Sequence, residues 1–132
     1  MAMLIKDRDT TRRDGRLFDL PLAAGARVFA GGIVCLGAGG FAVPASAAAG
    51  LRFPCLATEG VNNSGGDGAV SVAGERTVVG LDYEADVTRA QIGQTVYLAD
   101  DHTVTAAAAG KSPAGLLVDI QDGQAWIDLA RA

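Results

Sequence analysis

The chain predicts an all-β fold, a small β-barrel or sandwich (β-tulip-like) built from two weakly repeated strand units, with one short helical turn and an extended N-terminal arm. Three observations carry that prediction. First, the second half echoes the first: Ala24-Gly25-Ala26-Arg27-Val28-Phe29 returns as Ile92-Gly93-Gln94-Thr95-Val96-Tyr97, an offset of 68 residues (93 minus 25). Gly40-Phe41-Ala42-Val43 returns as His102-Thr103-Val104-Thr105, Leu51–Leu56 as Gly115–Ile120, and Thr77-Val78-Val79 as Trp126–Leu129, with the offset drifting. This is a single duplication and not a short-period solenoid. Second, only 5% of residues are aromatic while 18 are Gly, so the core must be aliphatic and the chain must turn often. Third, apolar residues alternate at period two through much of the second half, which sets one face of each strand inward.

Residues 1–16 read as an arm and 17–132 as one β domain, a length that suits a single core. After Met3-Leu4-Ile5, eight of the eleven residues from Lys6 to Arg16 are charged, with no apolar period. Such a segment cannot offset its own ordering entropy and either frays or orders on a partner. In the second case Met3-Leu4-Ile5 is an apolar plug, and the bases Lys6, Arg8, Arg12, Arg13 and Arg16 pair with carboxylates.

From Leu17 the elements follow in order. Leu17–Leu20 is a short strand stopped by Pro21. Arg27–Phe29 and Ile33–Leu36 flank the tight connection Ala30-Gly31-Gly32. Gly37–Gly40 is a turn, Phe41–Val43 a strand, Pro44–Gly50 an alanine-rich loop and Leu51–Thr58 a strand. Residues 59–69 read as a flexible surface loop. Asn62, Asn63 and Asp67 suggest an oxygen cluster, but no acid closes a twelve-residue calcium loop. With Tyr83 these three are instead candidate protomer or surface contacts. Val70–Val72 and Glu75–Leu81 bracket Ala73-Gly74 as a hairpin. Thr88-Arg89-Ala90-Gln91 is a capping box opening one helical turn, which Gly93 ends. Gln94–Leu98 and Thr103–Thr105 form a hairpin around Ala99–His102; Ala106–Pro113 is a loop, and Leu116–Ile120 with Ala125–Leu129 closes the fold around Gln121-Asp122-Gly123. The alternation places Val70, Val72, Val96, Leu98, Val104, Leu116, Val118, Ile120 and Trp126 inside.

Charge narrows the partners. Residues 1–16 hold five bases and three acids (+2), and the remainder six bases and twelve acids (−6). An acidic body with a mildly basic arm disfavours nucleic acid and favours another protein. The uncharged stretch 28–51, after Arg12-Arg13 and ending in Pro44-Ala45-Ser46-Ala47, mimics a secretory signal. Its Gly31-Gly32, Gly37, Gly39-Gly40 and Pro44 break any helix, and its hydrophobicity rests on Ala, so neither a signal nor a membrane span is expected. Cys35 and Cys55 match no metal or redox spacing and read as buried free thiols.

Candidate chemistry is thin. His102 follows Asp100-Asp101, and Ser112 lies ten residues on, but no nucleophile elbow or oxyanion motif accompanies them. Asp100, Asp101 and His102 are expected to project apart, so no metal is expected. Gly110-Lys111-Ser112 lacks the upstream glycine of a phosphate loop. No catalytic residue and no cofactor are expected.

Asp86–Tyr97, Asp100-Asp101-His102-Thr103-Val104, Ala114–Asp119 and Ala125-Trp126-Ile127-Asp128-Leu129 together resemble the C-terminal half of tailed-phage capsid cement, or head decoration, proteins. The Gly-x-x-Val-Tyr strand and the Asp-Asp-x-Thr-Val turn are the most specific parts; the first half is similar only in its Ala-Gly-x-x-Val and glycine-rich turns. The resemblance implies a virion structural protein on the outer capsid surface, made in the bacterial host cytoplasm. It implies binding to the major capsid protein, usually as a homotrimer, and an arm that reaches neighbouring coat subunits. Met3, Leu4, Ile5, Lys6, Arg8, Arg12, Arg13 and Arg16 would then be the capsid-binding residues. The alternatives are a tail or baseplate β-domain of a virion, or a carbohydrate-binding module in which Trp126, Tyr97 and Tyr83 form an exposed platform.

Overall fold

The computed structural model describes residues 2–13 and 15–131; Met1, Asp14 and Ala132, included in the arm and domain ranges above, lie outside them. Among the described residues, twelve strands and one 3₁₀ turn make up the fold. In the first half β1 (Leu17–Pro21), β3 (Ile33–Leu36), β4 (Ala42–Pro44), β5 (Arg52–Ala57) and β7 (Ser71–Glu75) form a sheet in the order β1-β7-β5-β3-β4. In the second half β8 (Val78–Tyr83), β9 (Thr95–Leu98), β10 (Thr103–Thr105), β11 (Pro113–Gln121) and β12 (Gln124–Asp128) form a closed barrel, ordered β8-β12-β11-β9-β10. The remaining strands, β2 (Arg27–Val28) and β6 (Val61–Asn62), pair only with each other.

The two orders are the same. β1, β7, β5, β3 and β4 correspond one for one to β8, β12, β11, β9 and β10. In the barrel the ring is closed by a parallel pair, Thr103 and Val104 of β10 beside Asp82 and Tyr83 of β8. The first unit makes the same closure with a single parallel bridge, Leu22 to Ala42, and the Ala23 N–H bonds the Ala42 carbonyl at 2.9 Å. The duplication is therefore real, but its register differs from the one the sequence suggests. Four of the five equivalent strands begin 61 or 62 residues apart, Leu17 to Val78, Ile33 to Thr95, Ala42 to Thr103 and Arg52 to Pro113, and the fifth, Ser71 to Gln124, begins 53 apart (124 minus 71). Thr95–Tyr97 thus corresponds to β3 and not to Arg27–Phe29. Thr77–Val79 and Trp126–Leu129 are not equivalents at all, because Val79 and Ile127 are antiparallel partners. Short aliphatic strands look alike in one dimension; hydrogen-bonded neighbours distinguish them.

Two expected hairpins are also absent. β2 does not pair β3 across Ala30-Gly31-Gly32 but pairs β6. Ala73-Gly74 lies within β7, which pairs β1 and β5, and the chain passes at Arg76-Thr77 into β8 of the other unit. Other local expectations hold. Thr88 caps the 3₁₀ turn Arg89–Gln91, with both bonds of the capping box present. Asp122 and Gly123 have φ of 57° and 73°, the positive pair that a two-residue hairpin matched to strand twist requires.

Two aliphatic clusters fill the molecule. One contains Ile33, Cys35 and Ala45 together with the barrel interior: Val79, Leu81, Val96, Leu98, Val104, Ala114, Leu117, Ala125, Ile127 and Leu129. The other contains Leu20, Leu22, Val28, Val34, Ala42, Cys55, Ala57 and Val72. Consecutive residues Ile33, Val34 and Cys35 are all buried, alternating between the two clusters. A strand covered on both faces reads as an unbroken apolar run, which is why residues 28–51 mimic a signal peptide.

The inward set on β11 and β12 departs from simple alternation. β11 carries register shifts between Pro113 and Gly115 and between Leu117 and Asp119. Each bulge adds a residue and turns the following side chains over. Ala114, Leu117 and Ile120 therefore face the core, whereas Leu116 is only partly buried and Val118 is exposed. On β12 the phase is one residue off: Ala125 and Ile127 are buried, and Trp126 lies outside with its indole N–H bonded to the Gln121 carbonyl at 3.3 Å. Val70 is likewise exposed. The inverted phase is testable by chemical denaturation: Leu117→Ala should cost about 2–5 kcal/mol, and Val118→Ala about 1 kcal/mol or less.

Candidate interaction surfaces

The arm is fixed at its root. Leu17 pairs with Glu75 at the start of β1, the Arg76 N–H bonds the Arg16 carbonyl at 2.9 Å, and Arg16 Nε lies 3.9 Å from Glu75 Oε1. Among the described residues, none before Leu17 lies in a strand or helix. Met3, Leu4 and Ile5 are 91%, 73% and 98% exposed, and Lys6, Arg8, Arg12, Arg13 and Arg16 are exposed as well. Burying three such side chains gives about 1.5–3 kcal/mol each, while ordering each residue costs about 1–2 kcal/mol. The net is on the order of 1 kcal/mol per residue, a weak anchor singly and a strong one when several copies bind together.

Residues 59–69, expected as a flexible loop, are tied to the first unit by the β2–β6 pairing and by three side chains. Glu59 Oε2 accepts the Ala73 N–H at 2.9 Å, and Asp67 Oδ1 accepts the Ala24 N–H at 2.8 Å. Asn63 is 1% exposed, and its amide shares two N–H groups among the carbonyls of Leu22, Ala23 and Gly66 at 2.9–3.1 Å while its oxygen accepts the Gly65 N–H. Asn63 is thus an internal pin and not a surface contact. A buried amide spends its hydrogen bonds inside the fold, and the sequence cannot tell this use from an exposed one. Asn62 and Asp67 remain on the surface.

Asp100, Asp101 and His102 do not project apart as expected: their ligand atoms lie within 4.8 Å of one another. His102 Nδ1 is 2.8 Å from Asp101 Oδ1 and 3.1 Å from Asp100 Oδ1, and Asp100 also accepts the His102 N–H. These contacts engage the ring Nδ1 and one oxygen of each carboxylate, and exposed acidic groups of this kind are common without an ion. The hydrogen bond to Asp101, then the charges of Asp100, Asp101 and Asp82, hold the His102 pKa above its ordinary value. The turn is also a joint, since the Asp101 carbonyl accepts the Ile33 N–H at 2.6 Å and so ties the second unit's hairpin to β3.

Ser112 is 1% exposed; its hydroxyl donates to the Ala48 carbonyl at 2.6 Å and accepts the Leu51 N–H. It spans two loops and is not presented to solvent. The three rings of the carbohydrate alternative do not share a face: Tyr83 packs on the barrel core, whereas Tyr97 and Trp126 alternate with buried neighbours and point outward. Cys35 and Cys55 are buried free thiols, raised to about 12 and about 11, chiefly by burial. Among the described residues no helix is long and apolar enough to cross a membrane. Compared with protein-family models, with curated proteins and with solved structures, the chain matches none.

Two measurements check these environments. Neither thiol should react with a disulfide reagent at neutral pH until the protein is unfolded, and fast labelling of either in the native state would contradict the packing of β3 and β5. By NMR, His102 should titrate above the ordinary 6.5, and Asp101→Asn should return its midpoint toward that value. Because folding raises this pKa, the turn's charge pairing contributes at pH below 6.5 and fades as pH rises through the raised midpoint.

Proposed function

We propose that this chain is a structural protein of a tailed-phage virion that decorates and stabilises the outer capsid surface by bridging neighbouring major capsid protein subunits. The observation that carries this reading is an arm with an exposed apolar tip, Met3-Leu4-Ile5, rooted by backbone bonds on a duplicated β body. The resemblance of residues 86–129 to capsid cement proteins supports it. So does the structural use of the groups that elsewhere perform reactions: Ser112 spans loops, His102 braces a turn, and both cysteines are core residues.

In this role the protein performs no reaction and takes no cofactor. It acts as a homotrimer on the shell, so that three weak arms engage three coat subunits at once and multiply effective concentration. Binding only the assembled state stabilises that state by mass action. The body provides stiffness, the arm reach.

Purified protein should bind expanded heads of the phage whose genome encodes it. Removing residues 2–13, which leaves Arg16 and its bonds to β7 in place, should weaken attachment by about tenfold or more without altering the thermal melting of the body. A truncated chain that decorates heads as well as the full one would overturn the arm's role, and labelled protein found on tails instead of heads in electron micrographs would overturn the location.

A further inference from the structure

The body carries a net −6, yet three of the six Lys and Arg residues after position 16 line one groove: Arg52, Arg76 and Arg131. The groove runs between the starts of β5 and β11 and the last described residues, with Phe53, Pro54, Pro113 and Leu129 among its apolar lining and a volume of about 230 Å³. We propose that it is a docking site for a peptide segment of a neighbouring protein, one that presents a carboxylate beside an aliphatic side chain.

Arg76 is built into the groove. Its guanidinium lies 4.1 Å over the Phe53 ring, its Nη2 donates to the Leu129 carbonyl at 2.9 Å, and its buried Nε has no acceptor among the described residues. Phe53 is held beneath it in a left-handed backbone conformation, φ 58°, which a bulky residue adopts only under constraint from its surroundings. Phe18 also packs against this ring in a T-shaped contact, with ring centroids 4.9 Å apart. Arg52 and Arg131 stand at the rim with exposed side chains, one donating to the Gly37 carbonyl and the other 3.5 Å from Asp128. A guanidinium carries five N–H donors, so all three retain capacity for a carboxylate, the group their fork geometry matches.

The groove's size and charge select among occupants. At about 230 Å³ it is smaller than the roughly 300–1,000 Å³ of small-molecule sites, which suits one anchoring side chain. A nucleic acid or other long polyanion would meet the acidic body beyond the rim. A short acidic-aliphatic segment would meet only the arginines and the apolar floor. The groove also lies at the arm's root, because Arg76 donates its backbone N–H to Arg16. Arm and groove therefore face the same neighbour, and two linked weak contacts bind as one stronger contact. The identity of that neighbour as a shell subunit rests on the function proposed above; the groove's chemistry does not.

The test is fluorescence anisotropy on the full chain with an end-blocked, labelled peptide of alternating leucine and aspartate, and with its leucine–asparagine counterpart. The acidic peptide should bind saturably, the amide peptide at least about tenfold more weakly, and Arg52→Glu with Arg131→Glu should abolish the difference. Both substituted side chains are exposed, and a melting curve verifies that the variant folds. Arg76→Lys, which keeps the charge but loses the fork, should also weaken the acidic peptide. Equal binding of the two peptides, unchanged affinity in the double variant, no binding up to millimolar peptide, or displacement by inorganic phosphate at equal concentration would each overturn the proposal. Peptide binding without attachment to heads would leave the groove standing and sink the capsid role; the converse would sink the groove alone.

Discussion

One strand holds the two halves together. Ile33 and Cys35 of β3 enter the core of the second unit while Val34, between them, enters the core of the first. The Ile33 N–H is bonded to the Asp101 carbonyl, and the Ile33 carbonyl accepts the Ala45 N–H, which brings Ala45 into the shared cluster. A polar side chain at any of these positions would open one core or the other, since a buried polar group without a partner costs more than a typical hydrogen bond returns. The thiols follow from the same constraint. Cys35 and Cys55 are small apolar fillers on opposite faces of one sheet, and burial suppresses their acidity.

The duplicated units show how one topology tolerates unequal closure. The second unit closes its ring with a parallel two-residue pair, the first with a single bridge at Leu22 and Ala42. The first compensates with side chains. Asn63 gathers the carbonyls of Leu22 and Ala23, Asp67 holds the Ala24 N–H, and β6 pairs β2 beside them. The loop 59–69 that looks like a flexible insertion thus substitutes for missing ladder bonds. In the second unit the equivalent of that loop, between β11 and β12, is only the Asp122-Gly123 turn, and the stretch equivalent to β2 is a 3₁₀ turn capped through Thr88 and Gln91.

The charge distribution supports a division of labour between arm and body. The arm offers apolar contact at its tip and mixed charge along its length; the body concentrates half of its cations in one groove near the arm's root. The acids Asp100 and Asp101 are occupied with His102, and Asp86 with the Thr105 hydroxyl, whose hydrogen bond lowers the Asp86 pKa. Polar groups that look reactive in sequence are mostly internal braces here. On the function proposed above, the arm and the groove's arginines are the groups offered to a partner.

The sequence by itself determined the strand content, the turns at Gly37–Gly40 and Asp122-Gly123, the capping box at Thr88 and the fact of duplication. Each depends on residues within a few positions of one another, where backbone sterics and local hydrogen bonds act. Tertiary structure decided the rest: which strands pair, the true register of the repeat, the inward face of β11 and β12, the burial of Asn63, and the meeting of Arg52, Arg76 and Arg131 in one groove. Those features join residues tens of positions apart. A bulge that turns Leu117 inward or a bridge from Leu22 to Ala42 leaves no local mark, because short aliphatic strands are interchangeable until neighbours on both sides select a register.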